Sequence, residues 1–145
     1  MIIDVGALVD GYHSDMTRTF VVGEPTPEQH EVYDLVLAAQ LAGLEAIAVG
    51  VAARDVDAAC RDLFADAGYG DWYLHGTGHG VGLEIHEAPS LRWDGGEELV
   101  EGMVVTIEPG VYIPGLGGVR IEDMVEVTTD GRREIPRAPK ELIVL

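Results

Sequence analysis

The chain has 145 residues, of which 47% are hydrophobic and 24% charged; this composition is typical of one globular domain and argues against disordered and collagen-like chains. Twenty-six acidic and nine basic residues give a formal net charge of -17, which argues against nucleic acid or an anionic membrane surface as a partner. The single cysteine, Cys60, excludes an internal disulfide, and without a leader or a long apolar segment we expect a cytoplasmic protein.

The first half of the chain predicts a β-hairpin followed by two helices. Segments rich in β-branched and aromatic residues flank Asp10-Gly11, which is a strong two-residue turn signal. Thr26, Pro27 and Gln29 match a capping box with a first-turn proline, and predict a helix that runs to a stop at Gly50. A second helix is expected over about 53–67, before a glycine at 68.

The second half predicts extended chain and another hairpin. Residues 72–88 are too rich in glycine for a helix. The segments MVVTIEPGVYI and VRIEDMVEV predict strands joined around 114–117. The order of hairpin, helices and further strands indicates an α+β chain. Because two helices precede the second hairpin and none precedes the first, we expect an earlier pair of elements to be missing.

Acidic residues interrupt both predicted hairpins. With a turn at Asp10-Gly11, Asp15 lies opposite residue 6 and Asp4 lies diagonally on the same face. A three-residue loop would make Glu108 and Glu122 direct cross-strand neighbours, whereas a four-residue loop would shift the register by one. Each acid alone is typical of a solvent-facing strand position. Carboxylates about 4 Å apart repel by roughly 4 kcal/mol, so facing pairs together predict bound cations.

Three histidines follow in HGTGHGVGLEIHEAP: His75, His79 and His86. The glycines between them disfavour a helix, and Gly76 occupies the position that zincins fill with glutamate, so a zincin site is excluded. In extended chain His75 and His79 share one face, and His86 lies on the other unless a bulge intervenes. One imidazole with four carboxylates suits Mn²⁺, Co²⁺, Fe²⁺ or Zn²⁺.

Four segments in this order resemble the successive signatures of the pita-bread metallopeptidases: IIDVGALVDGYHSDMTRTF, HGTGHGVGLEIHEAP, EGMVVTIEPGVYIPG and GGVRIEDMVEV. That family includes methionine aminopeptidases, Xaa-Pro aminopeptidases, prolidases and creatinases. The resemblance implies an N-terminally truncated pita-bread fold, with a curved antiparallel sheet and helices packed on one face. Residues 1–145 would be a single, partial catalytic domain. The resemblance also implies five metal ligands: Asp4, Asp15, His79, Glu108 and Glu122.

The resemblance further implies a dinuclear mechanism. Two divalent ions, Mn²⁺ or Co²⁺ in the first place and Zn²⁺ or Fe²⁺ otherwise, would share a water and present hydroxide to the scissile carbonyl. Asp15 and Glu122 would bridge the ions, and Glu108 would relay the proton to the leaving nitrogen. His86 would donate to the substrate carbonyl, and His75 would line the substrate pocket. Arg120 would hold ligand carboxylates or grip a substrate carboxylate; its alternative is a surface ion pair.

The last two segments resemble Xaa-Pro aminopeptidases and prolidases more than methionine aminopeptidases. We therefore expect hydrolysis of an N-terminal Xaa-Pro bond in a peptide with proline in second position. The alternatives are a methionine aminopeptidase, and an inactive fragment or non-catalytic peptide-binding module. Family members carry elements before the Asp4 strand, including a pocket histidine, so we expect a piece of a longer enzyme. A completing N-terminal segment on another polypeptide and a homodimer are the alternatives.

Overall fold

The computed structural model describes residues 1–136 and 138–145. In these residues two strands are followed by two helices and then eight strands, which confirms the α+β prediction. A short 3₁₀ turn at Gly70–Trp72 follows the second helix. The bounds in chain order are β1 Ile2–Val9, β2 Tyr12–Val21, α1 Pro27–Glu45, α2 Ala53–Asp66, β3 Gly78–Gly80, β4 Glu87–Leu91, β5 Val104–Ile107, β6 Gly110–Ile113, β7 Gly117–Arg120, β8 Asp123–Thr128, β9 Gly131–Glu134 and β10 Ile143–Val144.

The first hairpin forms as predicted. Strands β1 and β2 pair antiparallel with Gly6 opposite Asp15 and Asp4 opposite Thr17. Asp10 and Gly11 both have positive φ, 51° and 87°, as in the tight turn whose twist matches that of paired strands. Strand β1 lies at the edge of its sheet and is exposed along almost its whole length.

The second hairpin has the register predicted for a three-residue loop, but it is broken in the middle. Strands β6 and β7 pair Ile113 with Gly117, and β5 and β8 pair Ile107 with Asp123. The residues between the two sections, including Glu108 and Glu122, belong to neither strand pair. Each section can therefore join a different part of the fold.

Helix α1 begins at the predicted capping box but ends earlier than predicted. Thr26 and Gln29 exchange the two capping hydrogen bonds. The helix ends at Glu45 instead of continuing to Gly50, because the chain turns to bury Ile47, which is 2% exposed. The amide of Gly50, at φ 85°, then donates to the carbonyl of Leu99. Helix α2 closely matches its predicted extent.

The strands form three hydrogen-bonded sheets, and helices α1 and α2 pack against them. The strand orders are β1-β2-β10, β4-β3-β5-β8-β9, and β6-β7. Helix α1 contacts β5, β6 and β7, while α2 contacts β4. The parallel pairing of β10 with β2 and the β8-β9 hairpin were not predicted from the sequence. Among the described residues, no helix has the length and apolar character needed to cross a membrane.

A buried ion pair joins the first hairpin to the second. Arg18 is 6% exposed and Asp123 is fully buried, and Arg18 Nη2 donates to Asp123 Oδ1 at 2.6 Å. Arg18 Nη1 donates to the carbonyl of Glu122 at 2.6 Å. The other carboxylate oxygen of Asp123 accepts from Gln40 Nε2 at 3.0 Å and lies 2.8 Å from Lys140 Nζ. Four segments of the chain thus meet at Asp123.

We expect Asp123→Asn to lower the free energy of unfolding by about 3–5 kcal/mol, because the buried guanidinium of Arg18 loses its counter-charge. Denaturant unfolding measures the change. Arg133→Gln is the control: it breaks an ion pair with Glu126 in which the Arg133 side chain is 68% exposed, and should cost less than about 1 kcal/mol. Equal losses in the two variants would contradict the assigned importance of Asp123.

Cys60 belongs to the core, as its position on the apolar face of α2 predicts. It is fully buried, and its thiol donates to the carbonyl of Ala39 at 3.1 Å. Burial raises the pKa of the Cys60 thiol from 9.0 to about 12. The thiolate is the reactive form of cysteine, so the native thiol should be inert at ordinary pH.

We expect Cys60 to react with a thiol reagent at pH 8 only after the chain unfolds in denaturant. Because the native pKa is raised, this group lowers stability as pH rises from 9.0 towards 12, where the unfolded chain has already lost the proton. The reaction of Cys60 is measured by the absorbance of the chromophore that the thiol reagent releases. Fast, complete reaction of the native chain would show that Cys60 is accessible.

Candidate metal centre

Acidic and histidine side chains from three separate segments meet at one place. Among the described residues, three groups have candidate ligand atoms within 4.8 Å of one another. The groups are Asp15 with His79 and His86; His79 with Glu108 and Glu122; and Asp4 with Asp15 and Glu122. Glu122, Asp15 and His79 each belong to two groups, so the cluster is continuous.

The break in the second hairpin positions its two acids. The amide of Glu108 donates to the carbonyl of Thr77 at 2.7 Å, and the amide of Glu122 donates to the carbonyl of Thr17 at 3.1 Å. These amides therefore bond to neighbouring segments instead of to each other. As a result, each acid is fixed against a segment that carries another member of the cluster.

His79 lies at a β-bulge that brings His86 beside it. The register between β3 and β4 shifts between His79 and Gly80, and the rings of His79 and His86 are 4.4 Å apart between centroids. His79 Nδ1 lies 3.0 Å from the carbonyl of Gly80, to which it can only donate. In the neutral ring, Nε2 then keeps its lone pair and faces Glu108 Oε1 at 3.2 Å and Asp15 Oδ2 at 3.7 Å.

The glycines around His79 allow close strand contact. A Cβ on Gly78 would lie 1.9 Å from the carbonyl oxygen of Thr106, and one on Gly80 would lie 2.2 Å from that of Ala88. Any larger residue at either position would push β3 away from its neighbours. The glycine run therefore sets the depth at which His79 enters the cluster.

The carboxylates of the cluster repel one another in a partly buried place. Burial, followed by the charge of Glu108, raises the pKa of Glu122 from 4.5 to about 8. Burial and the charge of Asp4 also raise the pKa of Asp15. Burial alone would lower the pKa of His79, but the hydrogen bonds with Glu108 and the Gly80 carbonyl and the charges of Glu108 and Asp15 together raise that pKa. A bound cation would relieve this repulsion.

Arg120 connects the acids of the cluster to Tyr112, and through the Tyr112 hydroxyl to His75. It donates to Asp4 Oδ2 at 2.7 Å and to the hydroxyl of Tyr112 at 2.9 Å. It also donates to Thr17 Oγ1 at 3.2 Å, and Thr17 in turn donates to Glu122 Oε2 at 2.6 Å. Arg120 thus contacts Asp4, one of the predicted ligands, while the role of Arg120 stays a prediction.

His75 stands beside the cluster and outside its three groups. Its Nε2 lies 2.8 Å from the Tyr112 hydroxyl, and its Nδ1 lies 2.8 Å from the carbonyl of Gly76. A cavity of about 400 Å³ is lined by His75, His79, Glu108, Arg92 and Arg120, among others. A second cavity of about 430 Å³ is lined by Asp4, Asp15, His13, Ile85 and His86, among others. There is thus open space next to Glu108 on one side of the cluster and next to Asp4 and Asp15 on the other.

The donor set fits divalent cations. Carboxylate oxygens and an imidazole nitrogen with a free lone pair, without a thiolate, are the ligands that Mn²⁺, Co²⁺, Fe²⁺ and Zn²⁺ accept. His79 has the carbonyl partner on its other ring nitrogen that metal-bound histidines usually have. The ligand roles of the individual side chains stay a prediction.

Several residues that hold the site were not predicted from the sequence. Thr17 lies two residues after Asp15 and shares its strand face, which is a weak signal for a role beside the acids. Tyr112 accepts from Arg120, eight residues further along the chain, and Thr106 donates to Glu108, two residues further along. Asp57 was not predicted from the sequence, because its carboxylate is buried on the otherwise apolar face of α2.

Curated relatives match almost the whole chain. The Xaa-Pro dipeptidase of Pyrococcus furiosus is 49% identical over 143 residues, which are 99% of this chain and 41% of that protein. The solved structure of an Xaa-Pro dipeptidase from Bacillus anthracis superposes with a TM-score of 0.97 at 52% identity, over 99% of this chain and 41% of the other. The X-Pro aminopeptidase of Thermotoga maritima gives 0.96 at 37% identity, over 99% and 41%.

The chain therefore spans about two fifths of the length of these relatives. Its fold is the pita-bread fold of the prolidases, with the strands and helices in the same arrangement. The family model described as metallopeptidase family M24 matches residues 1–129, which include every member of the acidic and histidine cluster. On this match, the chain belongs to metallopeptidase family M24.

Proposed function

We propose that this chain forms the metal-binding part of a peptidase that hydrolyses the bond between an N-terminal residue and proline. The observation that carries the proposal is the convergence of Asp4, Asp15, His79, Glu108 and Glu122, whose ligand atoms form overlapping groups within 4.8 Å. Glu122 is 1% exposed, so the repulsion around it is poorly screened by water. Bound cations would offset this repulsion, which supports a metal-binding role for the cluster.

The cluster would hold two divalent ions. Asp4, Asp15 and Glu122 would offer oxygens to one ion, and His79, Glu108 and Glu122 would offer ligands to the other; Asp15 also lies within reach of His79. The ions, when bound, supply an electrophile for the scissile carbonyl and lower the pKa of water. Mn²⁺ and Co²⁺ are the ions that we propose first, with Zn²⁺ and Fe²⁺ as alternatives.

The side chains around the cluster would divide the remaining work. Glu108 lies at the edge of an open cavity and would carry a proton to the leaving proline nitrogen. His86, whose ring meets that of His79 edge to face, would donate to the substrate carbonyl. His75 would line the pocket, with its Nε2 held by the Tyr112 hydroxyl. Arg120 keeps Asp4 oriented and would contact a substrate carboxylate.

We propose an Xaa-Pro dipeptide as the substrate in preference to a longer peptide. The dipeptidases among the compared structures reach 52% identity, whereas the X-Pro aminopeptidase reaches 37%. A dipeptide brings its own carboxylate next to the scissile bond, and two arginines, Arg120 and Arg92, line the cavity beside Glu108. Bidentate contact from arginine would recognise such a carboxylate.

Ion uptake is the first test. We expect Mn²⁺ or Co²⁺ to stabilise the 145-residue chain by about 2.7 kcal/mol at an ion concentration 100 times the dissociation constant. Asp15→Asn and Glu122→Gln should remove this gain, because each belongs to two of the three ligand groups. Calorimetric titration of the metal-free chain measures uptake. Glu126→Gln, four positions further along the chain and outside those groups, is the matched control and should bind normally.

Hydrolysis is the second test. We expect the ion-loaded chain to cleave an Xaa-Pro dipeptide faster than an Xaa-Pro tripeptide, and to leave an Xaa-Ala dipeptide intact. Glu108→Gln should lower kcat by a factor of about 10²–10⁴ with a smaller change in KM, since proton transfer is lost. Release of the free N-terminal residue, which is a product of every one of these peptides, measures the rate. Ion uptake without cleavage of any of these peptides, both by this chain and by a chain extended to the length of its relatives, would contradict the proposal and favour a peptide-binding module.

A further inference from the structure

Helix α2 carries an ion pair, Asp57 and Arg61, one turn apart. Arg61 Nε donates to Asp57 Oδ2 at 2.7 Å, and Nη2 donates to Oδ1 at 3.1 Å. Asp57 is 1% exposed. The guanidinium carbon of Arg61 lies 4.2 Å from the ring centre of Tyr73 and 5.0 Å from that of Trp93. The pair is bidentate and held by aromatic rings, so it has little freedom to move.

This pair holds the backbone of residues 75–77. Asp57 Oδ1 accepts from the amide of Thr77 at 3.0 Å and from its hydroxyl at 3.1 Å. Arg61 Nη2 donates to the carbonyl of His75 at 2.9 Å. Thr77 is fully buried and precedes β3, so its amide needs a partner within the protein. Helix α2 supplies that partner.

The held segment in turn fixes two members of the candidate metal centre. The carbonyl of Thr77 accepts the amide of Glu108 at 2.7 Å. His79 follows Thr77 by two residues, and its amide donates to Thr106 Oγ1 at 3.1 Å. The same hydroxyl donates to Glu108 Oε1 at 3.1 Å. A continuous series of hydrogen bonds therefore runs from Asp57 to both His79 and Glu108.

We propose that Asp57 and Arg61 are positioning residues that set the distance between His79 and Glu108 for ion binding. This inference rests on the proposed function, because the spacing matters only if these side chains bind an ion. Groups that orient metal ligands through hydrogen bonds change metal affinity by about 10–100-fold when they are removed. Asp57→Asn removes the charge that fastens Arg61 and weakens both contacts with Thr77.

The test compares Asp57→Asn with Val56→Ala, its neighbour on α2. Val56 is fully buried in the cluster around Leu44 and Leu99, so its truncation destabilises the same helix without breaking the hydrogen bonds to Thr77. Each metal-free chain is titrated with Co²⁺ and followed by calorimetry and visible absorption. We expect Asp57→Asn to lose about 10–100-fold in Co²⁺ affinity with altered absorption bands. Val56→Ala should lose less than about three-fold.

A second readout needs no metal. Amide hydrogen exchange in the metal-free chain should show faster exchange at Glu108 and Thr77 in Asp57→Asn than in Val56→Ala, at matched global stability. Arg61→Lys keeps a positive charge next to Asp57 but loses the guanidinium nitrogen that donates to the carbonyl of His75. It should accelerate exchange at Glu108 and Thr77 less than Asp57→Asn does. It takes the place of Asp57→Asn if that variant does not fold.

Equal losses of Co²⁺ affinity in Asp57→Asn and Val56→Ala would overturn the inference, as would unchanged exchange at Glu108. Failure of the proposed function looks different. In that case the wild-type chain itself takes up no Co²⁺, while the exchange comparison still reports whether Asp57 fixes the Glu108 amide.

Discussion

Repulsion between carboxylates is the constraint on which this structure depends. Asp15 and Glu122 are held close to other acids at positions where water screens them poorly, and burial with like charge raises both pKa values. The fold opposes this repulsion with hydrogen bonds that reach the acids from outside the cluster: Thr17 donates to Glu122, and Arg120 donates to Asp4. Bound cations would neutralise the repulsion that these hydrogen bonds leave. The arrangement costs stability in the metal-free chain, which is the usual relation between a functional site and its scaffold.

The broken second hairpin makes this arrangement compatible with a regular sheet. An unbroken ladder would have satisfied the amides of Glu108 and Glu122 within the hairpin itself. Here they donate to Thr77 and Thr17, so the break ties the strand that carries His79 and the strand that carries Asp15 to one another. The buried Arg18-Asp123 pair reinforces the same junction, because Arg18 also donates to the carbonyl of Glu122. Stability and site geometry therefore share the same contacts.

Helices α1 and α2 pack against the strands and also help to position the backbone beside the cluster. Gly43 of α1 faces Cys60 of α2 and Ile107 of β5 so closely that a Cβ would lie 2.7 Å from the Cys60 sulfur and 2.9 Å from Ile107. This tight packing brings α2 near enough for Asp57 to reach Thr77. The two helices are thus placed to control the backbone beside the cluster. Strand β1, by contrast, is an exposed edge, although it carries Asp4.

The sequence by itself determined the first hairpin, the start of α1 and the extent of α2, because turns and caps are local signals carried by particular residues such as Asp10, Gly11 and Thr26. The set of acids and histidines expected to converge came from the resemblance of four segments to the metallopeptidases. The register of the second hairpin followed once its loop length was fixed. Only the tertiary structure decided where α1 ends, since burial of Ile47 overrides the helical tendency of its neighbours. Tertiary structure likewise decided the bulge that brings His86 to His79, and the partners of Asp57, Thr17 and Arg18. These contacts join residues far apart in the chain, and no local pattern specifies which buried polar group will satisfy another.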